Sequence, residues 1–303
     1  MRKTLITIDL ILFFSIIIYI TIVKFDDIKK YADDIFNKVM GYEVIIPEYK
    51  SNNRTYNYIG LKETTNFVPK NKQDLRNIYY TVLNNGWEEF TFYCPSEYKN
   101  CAKDVTKLAN NNDELSILNN YVHPYNSYLK YNTVITNEKI VYLTIEKLYS
   151  KEEIEYINEY VDELFETKIT NNIINLNKLK YMHNHIIRNV TYDVEYTSEN
   201  MFTAPSKAYG AIKNGKAICS GYTDLYAIML DRLNIPNFKV ASKEHVWNVV
   251  YFEGKWHHID LTWDDDEVNL NNTYNFFMLN TEELLQKDTK EHTFNIDNYL
   301  ELK

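Results

Sequence analysis

From Leu5 to Val23, nineteen residues run almost wholly apolar behind the basic start Met1-Arg2-Lys3, broken only by Asp9, Ser15 and threonines. As a helix at ~1.5 Å per residue the run covers roughly 28 Å, enough for one membrane crossing. Counted from Leu10 it has the length of a signal-peptide core, yet no small-x-small cleavage site follows in Lys24 to Asp34. An uncleaved single-pass signal anchor is therefore the expectation, with a secreted form if the segment is removed. Arg2 and Lys3 would hold the N-terminus in the cytosol and place the remainder outside the cell.

Residues 24–72 are charged, then polar and irregular, and read as a stalk. From residue 73 the period changes repeatedly. Asp74 to Leu83 is helical, Trp87 to Tyr93 alternates like a strand, and Ser96 to Leu108 is helical. Thr133 to Ile135 and Ile140 to Ile145 suggest a hairpin across Asn137-Glu138. Residues 73–149 thus form a small α+β region. Ser150 with Glu153 is a capping box ahead of Ile154, Ile157, Val161, Leu164 and Phe165 at helical spacing, and a further helix covers about Leu176 to Asn189. Residues 150–303 form the main domain.

Composition narrows the function. The chain has 303 residues, 45% hydrophobic, with 42 Asp and Glu against 33 Lys and Arg. That acidic balance offers no broad footprint for nucleic acid, so no nucleic-acid partner is expected. Three cysteines cannot all pair within the chain. Cys94 and Cys101 could close a short disulfide loop or remain two free thiols.

The scarce residues gather late. Four of seven glycines, Gly210, Gly215, Gly221 and Gly254, lie between 210 and 254, and Trp247, Trp256, Trp263, His245, His257 and His258 lie within that stretch or just beyond it. Cys219 directly precedes Tyr222, Leu225, Tyr226, Met229, Leu230 and Leu233, a helical stripe, so its thiol sits at a helix N-terminus. Unpaired N–H groups and the positive end of the dipole stabilise a thiolate there and can bind an oxyanion. A small buried hydrophobe is the competing reading of the same feature.

Downstream, Phe238 to Ala241 reads as a strand, and His245 to Phe252 and Trp256 to Leu261 flank a Glu253-Gly254 turn. With those two residues at the turn centre, Asp260 faces Trp247 and is the diagonal neighbour of His245, about 7 Å away at Cβ. A one-residue slip would put the two on opposite faces. In register, one helix end and one hairpin present Cys219, His245 and Asp260 as nucleophile, base and orienting acid.

These residues resemble the transglutaminase-like superfamily, and within it bacterial, membrane-anchored or extracellular members. The likeness is carried by Gly215-Lys-Ala-Ile-Cys-Ser-Gly-Tyr222, Leu233-Asn-Ile-Pro236, His245-Val-Trp-Asn248 and Gly254-Lys-Trp-His-His-Ile-Asp-Leu-Thr-Trp-Asp264. Lys180-Tyr-Met-His-Asn-His-Ile-Ile187, Tyr192-Asp193 and Ala208-Tyr-Gly-Ala211 look like the lead-in, and Tyr274-Asn-Phe-Phe-Met278 with His292 like the closing strand and terminal histidine. The resemblance implies a papain-like α+β core, a Cys at a helix start packed on an antiparallel sheet, over about residues 150–300. It implies Cys219 as nucleophile, His245 as base and later acid, and Asp260 as the group that fixes the imidazole. Tyr209 is the candidate oxyanion side chain, and Trp247 and Trp263 pack around the triad.

Other candidates are left structural. His257 and His258 point to opposite faces of a strand, and His183 and His185 are two apart on a helix, so neither makes a natural ligand pair. Asp264, Asp265, Asp266 and Glu267 read by default as a solvated acidic loop, with calcium the lesser alternative; no metal or cofactor is expected. The expected activity is acyl transfer on a peptide or carboxamide carbonyl of a cell-surface protein or peptide, hydrolysis favoured over crosslinking to an amine. The rival is a catalytically silent surface or cell-wall binding module on the same fold.

Overall fold

The computed structural model describes residues 44–169, 175–196, 203–265 and 274–303. Helix α1 (Lys72–Asn84) starts where Asn71 accepts from the backbone N–H of Asp74. Strand β1 (Glu89–Tyr93) buries Phe90 and Phe92 and exposes Glu89 and Thr91, the two-residue period of a half-buried strand. Helices α2 (Cys101–Ala109) and α3 (Asn112–Asn120) follow, then β2 (Tyr128–Ile135) and β3 (Ile140–Lys147). The expected hairpin pairs β2 with β3, and β1 takes the other edge of β3, so the sheet runs β1-β3-β2, antiparallel throughout. Helix α2 starts later than its apolar pattern suggests because Pro95 to Asn100 are spent in turns, Tyr98 N–H donating to Pro95 and Cys101 N–H to Tyr98. Cys94 and Cys101 are joined by a disulfide with their Cα atoms 5.5 Å apart.

The second part opens with α4 (Lys151–Lys168), whose Ser150–Glu153 capping box is present in both directions. After α5 (Leu176–Asn189), β4 (Thr191–Tyr192) runs parallel to β5 (Lys216–Ala217), which follows α6 (Ala208–Asn214). Helix α7 (Cys219–Arg232) then packs on an antiparallel sheet of β6 (Asn237–Ala241), β7 (Val246–Phe252), β8 (Lys255–Ile259) and β9 (Phe277–Leu279), in that order. A four-residue helix, α8 (Leu261–Asp264), interrupts the chain between β8 and β9, and α9 (Thr281–Lys287) closes it. The stripe expected on α7 understates its burial. Every residue from Gly221 to Leu230 is buried, so α7 is a central helix and not a one-sided one.

Residues Ile46–Lys303 form one compact unit, and side chains cross the boundary expected at 149/150. Tyr121 stacks on Phe238 at 4.8 Å and Phe238 on Tyr299 at 5.9 Å. The buried Tyr149 hydroxyl donates to Asp224 at 2.8 Å, and Lys239 binds the other Asp224 oxygen at 2.9 Å. The stalk reading is corrected over its described part. Residues 46–71 hold neither helix nor strand, yet Arg54, Tyr58, Leu61 and Phe67 are buried. Arg54 reaches Asp231 at the end of α7 and donates to the backbone and side-chain oxygens of Asn237, and Tyr58 donates to the Asn237 carbonyl at 2.7 Å. Among the described residues no helix is long and apolar enough to cross a membrane; the span expected at 1–23 lies outside them.

The Arg54–Asp231 pair is nearly dry, and removing one partner strands the other. Arg54→Met is expected to lower the unfolding free energy by about 3–5 kcal/mol, measured by urea titration; a change near zero would restore the stalk reading.

Candidate active site

Ile218 is extended and supplies no side-chain cap, so α7 begins at Cys219 with its positive end open. What fixes this end is the segment before α6. Ile218 N–H donates to Pro205 O at 2.9 Å and Ser220 Oγ to Ser206 O at 2.9 Å. Gly221 permits the approach: a Cβ there would lie 2.6 Å from Pro205 O and 2.8 Å from the Ala217 Cβ. Of the glycines gathered in this stretch, Gly221 is thus the close-packing device beside Cys219.

The hairpin opposite sets the other two groups. Glu253 (φ 48°) and Gly254 (φ 83°) both occupy the left-handed region, as a type I′ turn requires. Asn248 therefore pairs with Ile259, which puts Asp260 diagonal to His245, and His245 Nε2 lies 2.6 Å from Asp260 Oδ2. The second ring nitrogen is not taken by Asp260, and Cys219 is the other group that favours the charged imidazole. Burial opposes charge on His245, but Asp260 and then Cys219 outweigh it and hold the imidazolium up to about 10. Trp247 stacks against this ring at 5.7 Å and donates its indole N–H to His258 Nδ1 at 2.9 Å. Burial, with His292 and His257 adding, pushes His258 down to about 3, so it stays the neutral acceptor that Trp247 needs.

Asp260 ends the strand earlier than its apolar pattern suggests, because its carboxylate caps α8. Oδ1 accepts from Thr262 N–H at 2.9 Å and Trp263 N–H at 3.2 Å, while Oδ2 accepts from His245 and, at 2.9 Å, from His292 Nε2. Burial works against its charge, but His245 and His292 bring the carboxyl down to about 2. An ionised Asp260 and a protonated His245 place a buried ion pair at the start of α7, where Cys219 stands. His292, matched in the sequence only as a terminal histidine, is fully buried against the same carboxylate. Its signal there was the spacing Asp288…His292, for His292 Nδ1 lies 2.9 Å from Asp288 Oδ2.

Other expectations are corrected. Tyr209, on α6, lies edge-on to Tyr156 of α4 at 5.4 Å. Tyr192 is the tyrosine whose hydroxyl feels Cys219 and Asp260: burial first, then these charges, raise it. The solvated acidic loop fails at its start. Asp264 is buried, accepting from Phe276 N–H at 2.8 Å and facing His183 Nε2 at 3.1 Å, and Asp265 accepts from the Tyr222 hydroxyl. Asp266 and Glu267 lie outside the described residues. His185 faces away to Tyr160 at 2.6 Å. Among the described residues, the group whose atoms could hold a metal is His245, Asp260 and His292, within 4.8 Å of one another. Those atoms are already hydrogen-bonded together around Asp260 Oδ2.

Residues 159–261 match the model of the transglutaminase-like superfamily, and the chain carries a domain of that kind. The kyphoscoliosis peptidase of Mus musculus is 25% identical over 140 residues, 41% of this chain and 20% of the mouse protein, so the chain spans about a fifth of that relative's length. Among solved structures, a TGase is 20% identical over 45% of each chain with a TM-score of 0.33. A candidate cysteine protease from Cytophaga hutchinsonii is 16% identical over 44% of this chain and 61% of its own, with a TM-score of 0.28.

The ion pair makes stability depend on pH with a definite sign. His245 is raised, so its contribution is whole below about 6.5 and fades as pH climbs through about 10; Asp260 is depressed, so its contribution is whole above about 3.9 and fades as pH falls through about 2. The stability gap between wild type and Asp260→Ala, from urea unfolding at a series of pH values, is expected to be widest between about pH 4.5 and 6.5. A gap independent of pH would mean that the two groups are not paired as ions.

Proposed function

We propose that the protein is a thiol acyl-transfer enzyme that hydrolyses peptide or carboxamide bonds. The observation that carries this reading is the 2.6 Å contact between His245 and Asp260, with Cys219 at the start of α7 also favouring the charged imidazole. The Cys219 thiolate attacks the carbonyl carbon, and the carbonyl π electrons move onto oxygen, which the N–H groups at the helix start stabilise. Collapse of this intermediate breaks the C–N bond, and His245 gives its proton to the departing amine. The thioester left behind is attacked by water, whose proton returns to His245, and collapse then releases a carboxylic acid and restores the thiolate. Asp260 holds the imidazole in line and stays ionised throughout.

Water is favoured over a lysine amine as the resolving nucleophile because nothing in the chain marks an amine-binding cleft, and the mouse relative's name, a peptidase, supports the same choice. We place the activity at the cell surface, on protein or peptide substrates. The apolar stretch Leu5 to Val23 supports an anchored, outward-facing chain, and the Cys94–Cys101 disulfide supports an oxidising compartment.

Peptide-level alkylation of Cys219 against pH tests the reading without a known substrate. The rate is expected to stay high well below the ordinary thiol value of about 8.5 and to fall when His245 is replaced by Ala. Turnover of a peptide amide is expected to disappear in Cys219→Ala and to drop by about 10²–10⁴ in His245→Ala. A thiol that titrates like a free cysteine would sink the enzyme reading, and dominant incorporation of a primary-amine probe into the product would replace hydrolysis by transfer.

A further inference from the structure

We infer that His292 is a positioning residue of the catalytic relay, acting on His245 through the one carboxylate oxygen they share and itself held by Asp288. The inference rests on the thiol-enzyme reading above. Both imidazoles aim their Nε2 at Asp260 Oδ2, at 2.6 Å from His245 and 2.9 Å from His292. A histidine that only filled space would not need to compete for that atom. Its other nitrogen is not idle, since Nδ1 lies 2.9 Å from Asp288 Oδ2. Asp288, the residue that ends α9, also accepts from the backbone N–H groups of Lys290, Glu291 and His292. The turn that carries His292 is thus wrapped around the same carboxylate that orients its ring. Backbone and side chain are fixed together.

The ring is clamped as well as hydrogen-bonded. Phe276 stacks on it at 5.1 Å and 13°, Trp247 meets it edge-on at 4.9 Å and Trp263 at 5.0 Å. The titratable groups around it are Asp260, Asp288, His245 and the neutral His258, with exposed Glu291 beside it in the chain. Within this set the effect on catalysis has a direction. A donor from His292 draws electron density from Oδ2 and leaves less for His245. Asp260 then holds the Nε2 proton of His245 firmly enough to fix the ring, yet leaves the proton on the other ring nitrogen acidic enough to pass to the departing amine. Without His292, the imidazolium is held harder by a carboxylate that is itself oriented by one bond fewer.

His292→Phe separates this role from packing, because a phenyl ring keeps the contacts with Phe276 and Trp247 and loses both hydrogen bonds. With peptide amide as substrate, kcat is expected to fall about 10- to 100-fold at unchanged KM, and the alkaline limb of the pH–rate profile to move upward. His292→Gln, which can still donate to Asp260, is expected to recover part of kcat, and Asp288→Asn to show a smaller loss with the limb moving the same way. These two variants carry the test if the phenyl form does not fold, which a melting curve decides. Folded variants with wild-type kcat and an unmoved alkaline limb would overturn the inference, as would a change confined to KM. That failure is distinct from failure of the enzyme reading, in which wild-type Cys219 itself would alkylate with an ordinary titration.

Discussion

One buried carboxylate organises the second half of this protein. Asp260 stands where β8 stops and α8 starts, and each of its oxygens belongs to a different task. Oδ1 turns the chain by capping α8, while Oδ2 collects two imidazoles that arrive from β7 and from beyond α9. Burying an ion is costly unless every lone pair finds a donor. That requirement ties the folding of the strand end to the chemistry of the site: the group that orients His245 is ionised because the backbone and two side chains demand it.

Around that point the structure repeats one device, a buried polar group shared between elements far apart in sequence. Asp224 on α7 is held by Tyr149 and Lys239, and the same tyrosine oxygen accepts from Ala208 N–H at the start of α6. The segment that packs against Cys219 is therefore pinned from behind by the residue that precedes α4. Asp264 holds Phe276 in the same manner, while Asp260 N–H donates to the Phe276 carbonyl. Cys219, His245 and Asp260 sit on separate pieces of chain, and these crossings keep the pieces in register.

What could be read from sequence was what local rules encode. The capping box of α4, the bounds of α5 and the Glu253-Gly254 turn follow from hydrogen bonds between near neighbours, and the turn alone was enough to bring His245 and Asp260 together. What escaped was decided at long range. Arg54, Tyr58 and Leu61 carry no periodicity, so a polar stretch passed for a stalk although it pairs with residues nearly 180 positions away. Asp264 looked solvated because its partner His183 lies on another helix. The choice between bridge and free thiols at Cys94 and Cys101 needed a distance, which spacing alone does not supply.

The packing of residues 54–67 has a consequence for control. A removable cover lies over a finished enzyme, and its loss leaves the core intact. Here Tyr58 sits in the aromatic cluster with Tyr121, Phe238 and Trp256, and Arg54 satisfies the end of the helix that begins with Cys219. Clipping the chain within this stretch would open the core and leave Asp231 without its guanidinium. Activation by trimming is closed at this segment, and under the proposed function restraint falls to access to substrate or to the redox state of Cys219, the cysteine outside the disulfide.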